Sequence, residues 1–204
     1  MNSRMRQALT LSVLILLGAG VLVALQHWAT PRIEQQRLET AERALLDLLA
    51  PGSYDNHPLR QPIALPAGSL LGNTQPAQAY QARLGDRLTA VLLPVHAKGY
   101  EGPILLLVAV APDGRLIASK VLEQRETPGL GNLIERHRSP WLQGFDGKSL
   151  EDAPATWTLR AEGGQFDQIA GATVTSRSVT EALQRALRFF EEQRPRLLEA
   201  PSHD

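Results

Sequence analysis

The chain has 204 residues, of which 43% are hydrophobic, enough to bury one sizeable core. Its 21 basic and 21 acidic residues cancel, so it lacks the positive field with which nucleic-acid-binding proteins displace counterions from phosphate. It has no cysteine, and none of its five histidines forms an i, i+4 pair, so the sequence predicts neither a cysteine-ligated cluster nor a metal site on one helix face.

The N-terminal region contains one candidate membrane segment. Residues 8–25 are uncharged and mostly apolar, near the length of about 20 residues that a helix needs to cross a hydrocarbon core. We therefore predict a cytoplasmic tail over residues 1–7 and a transmembrane helix over residues 8–28. A cleaved signal peptide is the alternative, because Arg4 and Arg6 form a basic start. The run exceeds the usual signal-peptide core of about 7–15 residues and no clean A-x-A motif follows it, which favours a retained anchor.

The charges beside this segment do not fix its orientation, because basic residues occur both before and after it. A short basic tail followed by a single span usually stays in the cytoplasm, whereas a large domain is translocated whatever its charge. The sequence therefore predicts a single-pass protein of a bacterial inner membrane, with the main domain on the periplasmic side.

Residues 29–78 are predicted to contain an amphipathic helix and a connection. Apolar residues recur at helical spacing over residues 31–50, with charges on the other face, and Pro51-Gly52 ends the pattern. We expect this helix to pack on the domain that follows it. Residues 51–78 are rich in Pro, Gly, Asn and Ser, which indicates an irregular segment.

Residues 79–198 have the pattern of one folded domain that begins with strands. Apolar runs flank turn sequences at Gly85-Asp86 and at residues 112–114, so two antiparallel hairpins are predicted. Residues 155–160 alternate apolar and polar side chains and are predicted to form a further strand.

A helix is predicted at the end of the domain, over residues 178–194. Ser178 and Glu181 have the spacing of a capping box, and apolar residues follow at helical spacing. Residues 199–204 are predicted to form a C-terminal tail. Strands between terminal helices indicate an α+β domain with antiparallel hairpins and flanking helices.

Two glycine-containing loops are candidates for ligand contacts. Gly129-x-Gly131 is not a dinucleotide fingerprint, because the third glycine position holds Ile134 and no βαβ unit surrounds it. It is either a plain turn that needs a positive φ at one glycine, or a loop whose bare backbone lets a flat ligand approach closely. The loop over residues 98–104, in which two glycines flank Tyr100, leaves the same two interpretations open.

The stretch FDQIAGATVTSRSVTEAL, residues 166–183, places small and hydroxyl residues in front of the predicted helix. Gly171 and Ala172 leave the backbone N–H groups free to face an anion at the helix N-terminus, and Thr173 adds a hydroxyl. Asp167 precedes them and would repel a phosphate unless a cation or proton lay between. The arrangement fits a site that binds a phosphate group or carries one covalently. The alternative is that the hydroxyls serve only as caps and turn formers.

The segment DQIAGATVTS closely resembles the flavinylation motif, an Asp followed by [Ser/Thr]-Gly-Ala-[Thr/Ser]. Proteins with this motif carry FMN that is joined through its phosphate to a threonine hydroxyl. A basic start, a single span, GYEGPI, ETPGLG and this motif follow one another in the order seen in the family of G-type subunits of Rnf (Rsx) ion-translocating electron-transport complexes. Ala170 departs from the motif, where the family often has Ser or Thr, but this position is not the acceptor.

The resemblance implies a role for each matching residue. Thr173 would be esterified to FMN, Thr175 would be the competing acceptor, and a flavin transferase would recognise the residues before Thr173. The loops around Tyr100 and after the second hairpin would enclose the isoalloxazine ring. The predicted cofactor-binding residues are therefore Thr173, Asp167, Gly171, Ala172, Thr175, Tyr100, Glu126, Thr127, Gly129, Leu130 and Gly131, with no catalytic residue and no metal ligand.

The resemblance also implies a function. The chain would be an electron-carrying flavoprotein subunit of a membrane-bound ferredoxin:NAD oxidoreductase that moves Na⁺ or H⁺, with the other complex subunits and a flavin transferase as partners. It would be one redox-active subunit and not a complete enzyme. Two alternatives stay open: a component like the C-type subunit of the sodium-translocating NADH:quinone reductase, which is usually longer, and a membrane-anchored binding or assembly module without redox activity, which would be colourless.

Overall fold

The computed structural model describes residues 20, 42–152 and 157–199. Several predictions lie outside these residues, namely the tail 1–7, the membrane helix 8–28 apart from Gly20, and residues 200–204. Within the described ranges, no helix has both the length and the apolar character to cross a bilayer. The helix predicted over 31–50 is described only from residue 42, and residues 42–46 are helical. One compact unit spans Leu46–Asp204 and contains everything that follows.

Five antiparallel strands form one sheet in which every strand pairs with the next strand in the sequence. The strands are β1 (Ile63–Leu65), β2 (Ala77–Leu84), β3 (Arg87–Lys98), β4 (Pro103–Val110) and β5 (Leu116–Glu123). Both predicted hairpins are confirmed. Gly85 has φ +57°, as the first position of a two-residue type II′ turn requires, and Gly114 has φ +90° in the turn between β4 and β5.

Two sequence-based assignments in the connections are wrong. The segment 51–78, predicted to be irregular, contains β1, whose three residues lie between prolines and pair with β2. The described part of the strand predicted over 155–160 makes only a single bridge, from Leu159 to Phe166. Its alternating pattern has another cause, because Trp157 and Leu159 are buried in the core rather than paired in the sheet.

The C-terminal helix runs Thr173–Leu198, so the predicted start at Ser178 is wrong. Hydroxyl side chains in its first turns fit inside a helix because they donate to backbone carbonyls four residues earlier. Ser176 Oγ donates to the carbonyl of Ala172 at 2.9 Å, and Thr180 Oγ1 donates to that of Ser176 at 2.9 Å. Ser178 lies within the helix and does not cap it.

The helix packs its apolar face mainly on β3, and this layer is the core of the domain. Val179, Leu183 and Phe190 are fully buried there against alternate residues of β3 and β4. Each such side chain contributes about 1.5–3 kcal/mol when it leaves water. At the other end of the helix, Gln81 Nε2 donates to the carbonyls of Leu197 and Glu199 at 2.8 and 2.7 Å, which satisfies two terminal acceptors. The C-terminal end of the helix is thereby fixed relative to β2.

Candidate functional site

The helix N-terminus presents backbone donors next to Thr173. Ala172 is the residue before the first turn, and its side chain makes no capping hydrogen bond. The first N–H groups of an α-helix have no partner within the helix, and the helix dipole adds partial positive charge there. Thr173 is half-buried and is the first residue of the helix, so it lies beside these donors.

The turn before the helix has a shape that only glycine adopts easily. Gly171 has φ +76°, and a Cβ at this position would lie 2.9 Å from Leu130 Cδ2. Ser176 Oγ accepts a hydrogen bond from the backbone N–H of Ile169 at 3.0 Å while it donates to the carbonyl of Ala172. One buried hydroxyl therefore holds the turn from both sides.

Glu126 connects three segments that surround this helix start. Its side chain is only 5% exposed. Its Oε1 accepts a hydrogen bond from the N–H of Glu101 at 3.0 Å, and its Oε2 accepts from the N–H of Tyr100 at 3.2 Å. The buried hydroxyl of Thr175 also donates to Oε2. The loop before β4, the loop after β5 and the C-terminal helix thus meet at one carboxylate.

Two glycines next to Glu126 have no room for a side chain. A Cβ on Gly99 would lie 2.8 Å from the carboxyl carbon of Glu126 and 2.8 Å from the carbonyl oxygen of Gly102. A Cβ on Gly131 would lie 2.7 Å from Glu126 Cβ and 2.8 Å from its Oε2. The Glu126 side chain occupies the space beside these two glycines, so packing around it requires residues without a Cβ at both positions.

These segments enclose a cleft of about 470 Å³, within the usual range for small-molecule sites. Among the described residues, large hydrophobic side chains are exposed at five positions, and three of them line this cleft: Tyr100 (72%), Leu130 (41%) and Val174 (47%). Exposed apolar groups gathered in one concave site indicate a ligand or a partner. The full lining is Tyr100, Glu126, Thr127, Leu130, Gly131, Gly171, Ala172, Thr173, Val174 and Thr175.

The cleft brings together all but two of the residues predicted from the sequence. Gly129 is not in its lining; it has φ +79° in a turn where Asn132 Oδ1 accepts a hydrogen bond from its N–H at 2.8 Å. At Gly129 the structure therefore agrees with the first of the two interpretations of this loop, a plain turn that needs a positive φ. Asn132 was missed by the sequence analysis, and so was Val174, although an apolar residue directly after the candidate acceptor was an available signal.

Asp167 lies in a different cleft, lined in part by Trp141 and Phe166. Its carboxylate pairs with Arg160 at 3.0 Å, and both side chains are largely exposed. The Nε1–H of Trp141 donates to the backbone carbonyl of Asp167 at 2.5 Å. Phe166 stacks on Phe145, with ring centroids 4.2 Å apart, so the residue before Asp167 is anchored in an aromatic cluster. The structure therefore separates Asp167 from the lining of the Thr173 cleft.

Arg177, the basic residue of the same stretch, is occupied by an ion pair with Glu162. The hydrogen bond to Glu162 raises the pKa of Arg177 above its ordinary value. This pair ties the loop after Leu159 to the helix surface, and Arg177 does not line the cleft.

The chain is similar to known proteins over its whole length. Residues 99–188 match the FMN-binding domain family. The chain is 48% identical to the G-type subunit of the ion-translocating oxidoreductase complex of Pseudomonas aeruginosa strain PAO1, across 100% of this chain and 97% of that protein. The chain belongs to this family of G-type subunits. The same protein from Vibrio cholerae strain O395 is 34% identical across 97% of this chain and 95% of its own length.

The resemblance noted from the motifs is thus confirmed at the level of the family. Among solved structures, the crystal structure of Shewanella oneidensis NqrC is similar, with 26% identity, a TM-score of 0.49, and coverage of 66% of this chain and 68% of that chain. In the present chain, the range 99–188 that matches the FMN-binding domain family contains all three segments that line the cleft.

The residues of the cleft fit an FMN group. The helix N-terminus offers N–H donors and no capping side chain to a phosphate, and Thr173, a half-buried hydroxyl residue, lines the cleft there. Tyr100, Leu130 and Val174 offer exposed apolar surface to a planar ring. Glu126, the acidic residue in the lining, directs its carboxylate at N–H and O–H donors of the protein.

Proposed function

We propose that this chain is an electron-carrying flavoprotein subunit of an ion-translocating oxidoreductase complex of the Rnf type, with FMN joined by a phosphoester to Thr173. The observation that carries the proposal is the position of Thr173, a half-buried threonine at an uncapped helix N-terminus that lines one cleft together with an exposed apolar surface. FMN, when bound, would supply the electron-transfer chemistry of the subunit.

The choice of acceptor follows from the two threonines of the motif. Thr175 is 1% exposed and its hydroxyl is engaged by Glu126, whereas Thr173 is half-buried and opens onto the cleft. Attachment needs a flavin transferase and an activated flavin nucleotide. The Thr173 oxygen forms a bond to phosphorus, the bond from phosphorus to the leaving group breaks, and the hydroxyl proton passes to solvent.

A covalent link suits a subunit that faces water, because retention of the flavin no longer depends on affinity. The helix N–H groups stabilise the phosphoester charge, and the cleft residues orient the ring. We place the domain, residues 79–198 and their flanks, on the periplasmic side of a bacterial inner membrane, anchored by residues 8–28. Electrons would pass between ferredoxin and NAD through the other subunits.

The test is coexpression of the full chain with a flavin transferase, followed by intact-mass analysis and peptide mapping. Thr173→Ala should lose the covalent flavin and its fluorescence on a denaturing gel. Thr173→Ser, which keeps a hydroxyl, should retain it, and Ser178→Ala, one turn further along the helix, should behave like the wild type. Covalent flavin on the Thr173→Ala protein, or a wild-type chain that never carries any, would refute the proposal.

A further inference from the structure

Glu126 is placed to do more than line the cleft. The described hydrogen-bond partners of its carboxylate are donors of this chain, and they lie on two other segments: the N–H groups of Tyr100 and Glu101, and the hydroxyl of Thr175. Both carboxylate oxygens of Glu126 accept hydrogen bonds from these donors. Its oxygens are therefore used by the protein itself.

The surrounding sequence accommodates this carboxylate closely. Gly99 and Gly131 each lack the Cβ that would collide with it. The loop before β4 supplies one wall of the cleft through Tyr100, and the helix supplies another through Thr173 and Thr175. Glu126 belongs to the third wall, the loop after β5, and is hydrogen-bonded to the other two. Its removal would therefore break the contacts that hold the three walls together.

We propose that Glu126 is a positioning residue that assembles the cleft and selects Thr173, not Thr175, as the flavin acceptor. The inference rests on the proposed attachment of FMN to this motif. The Thr175 hydroxyl donates to Glu126 inside a packed site where Thr175 is 1% exposed, which keeps that oxygen out of reach of the flavin transferase. Thr173, two residues earlier, is half-buried and lines the cleft.

Glu126→Gln tests the assembly of the cleft without a change in size. A Gln side chain has one carbonyl oxygen and one NH₂ group, so it cannot accept hydrogen bonds at both positions that now face N–H donors. In the flavin-free full chain, amide hydrogen exchange at Tyr100 or Glu101 should rise by about tenfold or more. Asp146→Asn is the matched control, because it removes a carboxylate that pairs with Arg136 away from the cleft.

The selection of the acceptor is tested with Thr173→Ala as the background. Alone, this variant should carry no flavin, because Thr175 is engaged. Combined with Glu126→Ala, which frees the Thr175 hydroxyl and opens space beside it, the chain should carry flavin on Thr175, located by fragmentation of the labelled peptide. A purely structural weakening would leave the double variant without flavin, because it would not create a new acceptor.

The outcomes separate the two proposals. Faster exchange in Glu126→Gln together with flavin on Thr175 in the double variant supports the inference. Unchanged exchange at both amides overturns it, and so does a double variant without flavin whose β3 amides remain protected as in the wild type. If the double variant loses that protection, Thr173→Ala with Glu126→Gln takes its place under the same criteria. A wild-type chain without flavin refutes the proposed function, whereas the exchange experiment still decides whether Glu126 holds the loops.

Discussion

Gly99→Ala is the sharpest test of the carboxylate-centred cleft. The new Cβ would lie 2.8 Å from both the carboxyl carbon of Glu126 and the carbonyl oxygen of Gly102, closer than van der Waals contact allows. Gly99 has no positive φ, so the effect is steric and not conformational. The Glu126 side chain is buried and hydrogen-bonded, so it cannot move aside without loss of those bonds.

The expected cost follows from the bonds that the displaced carboxylate loses. A hydrogen bond to a charged group is worth about 1.5–3 kcal/mol, so the loss of one or two gives about 3 kcal/mol. For a domain of this size, 1 kcal/mol lowers Tm by about 2–4 °C. Gly99→Ala should therefore lower Tm by about 6–12 °C.

Thermal unfolding of the full chain, followed by circular dichroism, measures this shift. Two alanine substitutions serve as controls. Gly144→Ala meets no atom within 4 Å and has no positive φ, so it should change stability by less than about 0.5 kcal/mol. Gly129→Ala also meets no atom but has φ +79°, and should cost about 1–2 kcal/mol through backbone strain alone. A Tm for Gly99→Ala that matches the Gly144→Ala value would refute the placement of Glu126.

Three further changes test other parts of the domain. Phe145→Ala removes a buried ring of the aromatic cluster and should cost about 3–5 kcal/mol in urea unfolding, with an unchanged m-value. A hydrogen bond from Arg115 holds the pKa of Asp152 below its ordinary value of 3.8, so the ionised carboxylate stabilises the fold above about pH 4. The difference in Tm between the wild type and Asp152→Asn should therefore vanish as the pH falls further. Thr175→Val removes the hydroxyl bound to Glu126 and should lower Tm, yet the chain should keep its flavin by intact mass.

The hairpins were predictable from sequence because their turns have strong local chemistry. Gly85-Asp86 lies between two apolar runs, and only glycine readily takes the positive φ that this turn needs. β1 was not predictable, because three residues between prolines give no measurable period. The start of the C-terminal helix at Thr173 was missed because its hydroxyl residues favour caps and turns in isolation. Their bonds to carbonyls and to Glu126 exist only within the folded chain.

Most of the cleft lining could be named from short motifs, but the reasons for those residues could not. The sequence did not show whether Gly129 or Gly131 has the positive φ that a turn needs. In the structure the positive φ is at Gly129, whereas Gly131 makes room for the Glu126 side chain. That contact depends on tertiary packing, which spacing does not encode. Asp167 belongs to the same motif as Thr173, but a stacked Phe166 holds it toward another cleft.

The strand order of the sheet has a consequence for the stage of folding at which Thr173, the proposed flavin acceptor, becomes available. Neighbouring strands are neighbours in sequence, so the ladder closes through short loops at small entropic cost and forms early. The bond between Thr175 and Glu126 joins residues 49 positions apart and needs the helix to dock on a finished sheet. We expect the motif to reach its mature shape only at the last stage of folding. Under the proposed attachment, the flavin transferase would then meet the mature motif only on chains that have passed this stage.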